Sequence, residues 1–136
     1  MSSKDFQQWA VDKRKLHEAA SRPFYHVREI WWCAVGVNIG NELDGTGQEH
    51  DRPVLILRPF NAETFVGVAL IGHPRTGPYY FSLGKVGDRD AVVNLSQLRL
   101  YDTKRLIRKI GTVDKDLFHQ LAKSVTLTLF PFLSLQ

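Results

Sequence analysis

The chain has 136 residues, with 18 Lys and Arg against 14 Asp and Glu for a formal charge of +4; 43% of residues are hydrophobic and 24% charged. Those proportions exclude a disordered or collagen-like chain, and the length suits one domain burying about two thirds of its unfolded surface. The basic excess admits polyanionic partners, nucleic acid or an anionic membrane surface, without requiring one.

Ser3 or Ser2 is placed to cap a first helix, whose apolar positions Phe6, Trp9, Leu16 and Ala20 follow one helical stripe up to a stop at Pro23. Lys13, Arg14, Lys15 and His17 would make this helix either a basic arm on RNA or a small amphipathic appendage packed by Trp9. The stretch before them has no signal-peptide core, and nowhere does the chain approach the ~20 apolar residues that span a bilayer. Cys33 cannot pair internally and sits in an apolar run, which predicts a buried, inert thiol in a reducing setting. The expected location is the cytoplasm.

From Glu29 onward the pattern turns to short runs rich in Val, Ile and aromatics: Ile30 to Val37, Val54 to Leu57, Thr64 to Ile71, Tyr79 to Leu83, Ala91 to Leu95 and Gln97 to Asp102. Turn residues part most of them, so they read as strands of a mostly antiparallel sheet. A single helical turn over Thr103 to Leu106 and a last strand from Lys109 to Val113 follow. Asp114 then caps a C-terminal helix with Leu117, Leu121, Val125 and Leu129 on one stripe, ended by Pro131. The apolar terminal PFLSLQ reads as docked or interfacial. The predicted class is mainly β with α, a small closed or nearly closed barrel with peripheral helices. Residues 1–22 form an N-terminal helical extension and 23–136 the barrel domain.

The loop from Asn38 to Asp51 is long for a hairpin and carries Glu42, Asp44, Glu49 and Asp51. Arg52, held before Pro53 and a buried strand, can offer a bidentate fork to a phosphate; its alternative is a surface ion pair with Glu49 or Asp51. Glu42, on the turn Gly40-Asn41-Glu42, could accept a proton from a ribose 2′-hydroxyl, or be a solvated loop acid. Glu42, Asp44, Glu49 and His50 match no metal loop, and no His or Cys spacing suggests zinc. No metal or other cofactor is expected.

Among the histidines, His73 lies after a strand end and is the first candidate for acid or base work. Its loop, Gly72-His73-Pro74-Arg75-Thr76-Gly77-Pro78, sets Arg75 and Thr76 before the aromatic run from Tyr79, a combination that suits single-stranded RNA. A tight connection with core aromatics is the other reading. Arg99, Lys104, Arg105, Arg108 and Lys109 crowd together as a phosphate-attracting cluster or a solvated face.

Taken in order, Ile30-Trp31-Trp32, Asn38-Ile39-Gly40-Asn41-Glu42, Arg52-Pro53-Val54-Leu55, Leu95-Ser96-Gln97 with Arg99, Arg105-Leu106 and Lys109-Ile110-Gly111 resemble the MazF/PemK toxins of type II toxin-antitoxin systems. The resemblance covers about Glu29 to Val125. It implies a plasmid-maintenance-toxin-like, SH3-like β barrel with a C-terminal helix, a homodimer, and a cognate antitoxin protein. It also implies a metal-independent endoribonuclease, an mRNA interferase in which the 2′-hydroxyl attacks the adjacent phosphate of single-stranded RNA. By position Arg52 matches the catalytic arginine, Glu42 the acid of the first loop, and Gln97 a polar residue near the groove, with Arg99 beside it. One departure stands out. Family members end the middle strand in Pro-x-Thr-Thr or Pro-Leu-Thr-Ser, whereas this chain reads Ala69-Leu70-Ile71-Gly72. Ile71 occupies the threonine position, so His73, Thr76 or Ser82 supplies the missing group, or the chain is a weakened or inactive RNA-binding or antitoxin-binding module.

Overall fold

A computed structural model of the protein describes residues 3–73 and 75–134. In chain order it contains α1 (Phe6–His17), β1 (Glu29–Ala34), β2 (Asp51–Pro59), β3 (Thr64–Ile71), β4 (Tyr80–Val86), β5 (Arg89–Asp102), a 3-10 turn (Thr103–Arg105), β6 (Leu106–Thr112) and α2 (Lys115–Leu129). The strands form one sheet in the order β4-β5-β3-β2-β1-β6, antiparallel throughout. The class is α+β, and the sheet curls into half a barrel with β4 and β6 as its two edges.

Two expected strands, Ala91 to Leu95 and Gln97 to Asp102, are one strand of 14 residues. Ser96 breaks the apolar run without breaking the strand, because Asn94 Oδ1 accepts both its N–H (3.1 Å) and its O–H (2.7 Å). Arg89 to Asn94 of β5 pair with β4, while both Val92 and Val93 and the stretch from Leu98 to Asp102 pair with β3, with a register shift between Val68 and Leu70. One strand serving two neighbours in this way bends the sheet, since a bulge adds local twist.

Side chains alternate between two cores, as the pleat requires. Ile30, Leu55, Val68, Leu70 and Val93 face α2, which contributes Leu121 and Val125. Trp31, Cys33, Val54, Ile56, Phe65, Tyr101 and Leu106 fill the opposite face. Cys33 is fully buried, and burial pushes its thiol up to about 12, so it is inert at neutral pH. Asp114 caps α2 as anticipated, its carboxylate accepting from the N–H groups of Asp116 and Leu117.

The N-terminal helix departs from expectation in three ways. Its cap is Asp5, which accepts the Gln8 N–H at 3.0 Å; Ser3 is an exposed coil residue and Ser2 lies outside the described residues. It ends at His17, before Ala20 and Pro23, after a last turn whose Arg14, Lys15 and His17 suit the negative end of a helix. Of the proposed stripe only Trp9 is buried, while Phe6 is half exposed. At the other end the described part of the terminal segment, residues 131–134, is exposed rather than docked, with Phe132 at 80%.

Glu29 ties the edge strand β6 to β1. Its buried carboxylate accepts from Trp31 Nε1 (3.1 Å) and the His26 N–H (2.7 Å), and Lys109 Nζ of β6 lies 2.9 Å away. Burial alone would raise its pKa, but the Lys109, Trp31 and His26 hydrogen bonds and the Lys109 charge outweigh it and the net shift is downward. A depressed carboxylate pKa gives stability that is present above the unfolded-state value and is lost as pH falls through the folded one. Glu29→Gln is therefore expected to lower the urea midpoint at neutral pH, with the gap to the parent closing in acid. Leu121→Ala, which empties the fully buried contact of α2, should cost about 2–5 kcal/mol in the same assay at every pH.

Candidate active site

Arg52 enters from the start of β2, paired with Cys33 of β1. Alternation puts it on the face of Val54 and Ile56. Its Nε donates to the Asp44 carbonyl at 2.7 Å and its Nη1 to the Leu70 carbonyl at 3.2 Å, so a loop and a strand together orient the plane of the guanidinium. Nη2 has no protein partner among the described residues, and neither Glu49 nor Asp51 forms an ion pair with Arg52. Burial pulls its pKa below the ordinary arginine value, against the opposing charges of Asp44 and Tyr101. An arginine stays protonated under any such shift.

Beside this guanidinium lies a cleft of about 450 Å³, walled by Trp32, Leu70, Ile71 and Gly72 on the sheet and by Asp88, Arg89 and Asp90 on the β4–β5 hairpin. Val86 of β4 and Ile110 of β6 also line it, so it sits where the two sheet edges approach without pairing. The cleft is a consequence of the half-barrel.

Glu42, Gln97 and Arg99 come together, but in a neighbouring polar pocket of about 370 Å³ with Leu43, Ala69, Ser96 and Tyr101. Gln97 is a brace there: its Oε1 accepts the Leu43 N–H (3.1 Å) and its Nε2 donates to the Asn41 carbonyl (3.2 Å). Glu42 Oε1 accepts the Ile39 N–H at 2.9 Å, closing its own turn, and the residue is exposed. The Arg99 guanidinium carbon lies 4.8 Å from the centre of the Tyr101 ring. No described residue lines both pockets; the 38–51 loop connects them, since Leu43 lines this one while the next carbonyl, that of Asp44, accepts from Arg52.

His73 and Arg75 follow Gly72 at the rim. Arg75 Nε donates to His73 Nε2 at 3.0 Å, and both residues are exposed. Thr76 is exposed nearby, and Pro74 lies outside the described residues. Tyr79 is not brought to the Arg52 cleft. It lines a separate groove against Leu95 and the α2 residues Ser124, Leu127 and Thr128. Ser82 is also elsewhere, its Oγ accepting the Gly84 N–H at 3.2 Å.

Sequence reasoning missed Thr46 and the Asp88-Arg89-Asp90 turn, which line the cleft. Thr46 forms an isolated bridge to Asp51, a tight local closure inside an irregular loop that has no periodicity to announce it. The basic cluster is also not one solvated face. Arg105 is largely buried, with Nη1 donating to the Ala34 carbonyl at 2.9 Å, and Arg108 lies over Trp32 at 5.3 Å. The considered metal set does not converge either: Asp44 pairs with Lys4 and His50 with Asp12, and among the described residues no three His, Cys, Asp or Glu group around one point.

Comparison with known proteins bears on this arrangement. Residues 26–129 match the family model described as the PemK-like, MazF-like toxin of type II toxin-antitoxin systems. No curated sequence is significantly similar to the chain. Among solved structures it resembles MazF from Deinococcus radiodurans, with a TM-score of 0.66 and 18% identity over 80% of this chain and 97% of that one. An endoribonuclease in complex with its cognate antitoxin from a mycobacterial species gives 0.63 and 16%, over 83% and 100%. A Mycobacterium tuberculosis MazF toxin gives 0.57 and 18%, over 75% and 96%. At such identities the likeness to those structures is one of fold.

The brace by Gln97 makes a direct expectation. Gln97→Ala should leave the fold intact at a cost of about 1–2 kcal/mol, while limited proteolysis cuts the 38–51 loop markedly faster; an unchanged cutting rate would show that the loop holds itself.

Proposed function

The chain belongs to the PemK-like, MazF-like toxin family of type II toxin-antitoxin systems, and from that premise we propose that it is an endoribonuclease acting on single-stranded RNA. The observation that carries this reading is Arg52: a charged guanidinium oriented by two carbonyls, with its Nη2 edge left over, beside a cleft large enough for a nucleotide backbone. Such a group suits the negative charge that gathers on a pentacoordinate phosphate.

In the proposed reaction the ribose 2′-oxygen attacks the adjacent phosphorus and the bond to the 5′-oxygen breaks. A base takes the 2′-hydroxyl proton and an acid gives one to the leaving oxygen, yielding a cyclic phosphate and a 5′-hydroxyl. Arg52 stabilises the phosphorane and stands near enough in the sequence of events to help the leaving oxygen. His73, next to the cleft-lining Gly72, or Glu42 handles the proton; the adjacency of Gly72 favours His73. Glu42, Gln97 and Arg99 would then offer hydrogen bonds to a flanking nucleotide in the second pocket, with Arg75 and Thr76 at the rim and Tyr79 stacking on RNA farther along. No metal enters this scheme. The working unit is a homodimer in the cytoplasm, restrained by a cognate antitoxin, as one structural neighbour is seen with its own.

A second reading rests on Ile71. It lines the cleft, 6% exposed, where the resemblance expects a hydroxyl. Without that donor the chain would be a binder of RNA or antitoxin with little activity; Thr46, on the same cleft, is the hydroxyl that could stand in.

Purified protein incubated with a long single-stranded RNA in EDTA should give discrete fragments ending in cyclic phosphate. Arg52→Ala should slow cleavage about 10²-fold or more, and His73→Ala by a comparable factor. Identical fragment patterns for parent and Arg52→Ala would sink the reading. Cleavage that appears only in the Ile71→Thr, Gly72→Ser double variant would establish the second reading instead.

A further inference from the structure

The N-terminal segment, Lys4 followed by α1, lies outside the family match, yet it contacts the loop that holds Arg52. Lys4 Nζ reaches the Asn38 carbonyl (2.6 Å), the Gly40 carbonyl (3.1 Å) and Asp44 Oδ2 (3.1 Å). Asp44 is the hub of that loop. Its Oδ1 accepts the Asn38 N–H at 2.6 Å, and its backbone carbonyl is the oxygen that receives Arg52 Nε.

A second contact closes from the other side. Trp9, 6% exposed, lies flat against Gly36, where any side chain would collide with its indole; Gly36 also has φ +83°, so two constraints demand glycine there. The Trp9 ring meets His50 edge-on at 5.7 Å, with the Arg105 guanidinium 5.8 Å from it. Asp12 of the same helix lies 3.5 Å from His50 Nε2. His50 has φ +50°, an unfavourable conformation for a residue with a Cβ, and its carbonyl accepts the Gly36 N–H at 3.0 Å. Both ends of the 38–51 loop are thus held by the N-terminal segment: Asn38, Gly40 and Asp44 by Lys4, just before the helix cap, and His50 by Trp9 and Asp12 of α1.

We propose that the N-terminal segment, Lys4 together with α1, is a clamp on the active-site loop, and that Lys4, through Asp44, and Trp9, through Gly36 and His50, are positioning residues for the Arg52 guanidinium. The inference rests on the reading of Arg52 as the phosphate-stabilising group. The clamp acts through a relay of two contacts. Lys4 neutralises and anchors the Asp44 carboxylate, which keeps the Asp44 carbonyl in place, and that carbonyl sets the angle of the guanidinium. A small error in such placement is costly, because the stabilising donor must meet the charge where it develops.

The test compares Lys4→Gln, Trp9→Ala and Lys4→Arg in the full chain. The first readout needs no activity: exchange of the Arg52 Nε–H with solvent by NMR, together with amide exchange at Asn38, Gly45 and Thr46. Lys4→Gln and Trp9→Ala should speed these severalfold and leave the β3 amides unchanged, while Lys4→Arg behaves as the parent. Against single-stranded RNA, kcat should fall roughly tenfold to hundredfold in the two loosened variants with KM little changed, and Lys4→Arg should restore it. Lys4→Gln alters a partly exposed side chain and leaves the core alone, so it decides the question even if Trp9→Ala unfolds. Unchanged Arg52 and loop exchange in Lys4→Gln overturns the clamp, and so does loosened exchange with parental kcat. Should the parent cleave no RNA, the endoribonuclease reading falls, and the exchange comparison still decides whether the N-terminal segment holds the loop.

Discussion

The hydrogen bond from Arg52 Nε to the Asp44 carbonyl joins the two parts of the molecule that matter for chemistry. On one side is β2, rigid because both its faces are packed by the cores that contain Leu55 and Val54. On the other is a loop of irregular backbone that must be held by specific bonds, since it has no ladder of its own. Three of the loop's bonds lie close to Asp44: the Asn38 N–H to its carboxylate, the Gly45 N–H to the Gly36 carbonyl, and the Leu43 N–H to Gln97. A guanidinium placed by a strand and oriented by a loop is neither fixed as core nor free as surface.

The electrostatics of the site follow from partial burial of several arginines on one face. Arg52 and Arg105 both have their pKa values lowered chiefly by burial, and Arg99 adds repulsion to Arg105. Tyr101 and Cys33 lie among them, and burial pushes both of those groups toward the neutral form. These cations are therefore balanced mostly by carbonyl dipoles: Asp44 and Leu70 for Arg52, and Ala34 for Arg105. Guanidinium groups held by neutral acceptors keep their charge available for an anion, which is what the proposed function asks of Arg52.

Half of a barrel suits this purpose better than a closed one. The edge strands β4 and β6 are not joined, and the space between them becomes the cleft that Val86 and Ile110 line. The long strand β5, bent at Ser96, carries the β4–β5 hairpin around to form the second wall. Had Ser96 ended the strand, the hairpin would not be continuous with the pairing to β3, and Asp88 and Arg89 would have no fixed place beside Arg52.

Local chemistry was enough to read much of this chain. Thr64 to Ile71 was legible as a strand from its apolar run, Asp114 as a cap from its side chain, and α2 from its stripe, because these depend on neighbours a few residues apart. The weight of Arg52 was legible from Arg-Pro before a buried run, and the family from the ordered motifs. Helix limits in α1, the unity of β5, the buried state of Arg105 and the arrival of Thr46 at the cleft were not. Each of those depends on partners far along the chain, Gly36 and His50 for Trp9, Ala34 for Arg105, and Ile71 and Arg89 across the cleft for Thr46. Residue order by itself determined which faces would be apolar and that Arg52 would stand at the head of a buried strand. Only the tertiary structure decided that Glu42 and Arg52 line separate pockets and that the segment from Lys4 to Asp12, outside the family match, contacts the loop between them, because such contacts arise when the curled sheet brings distant segments together.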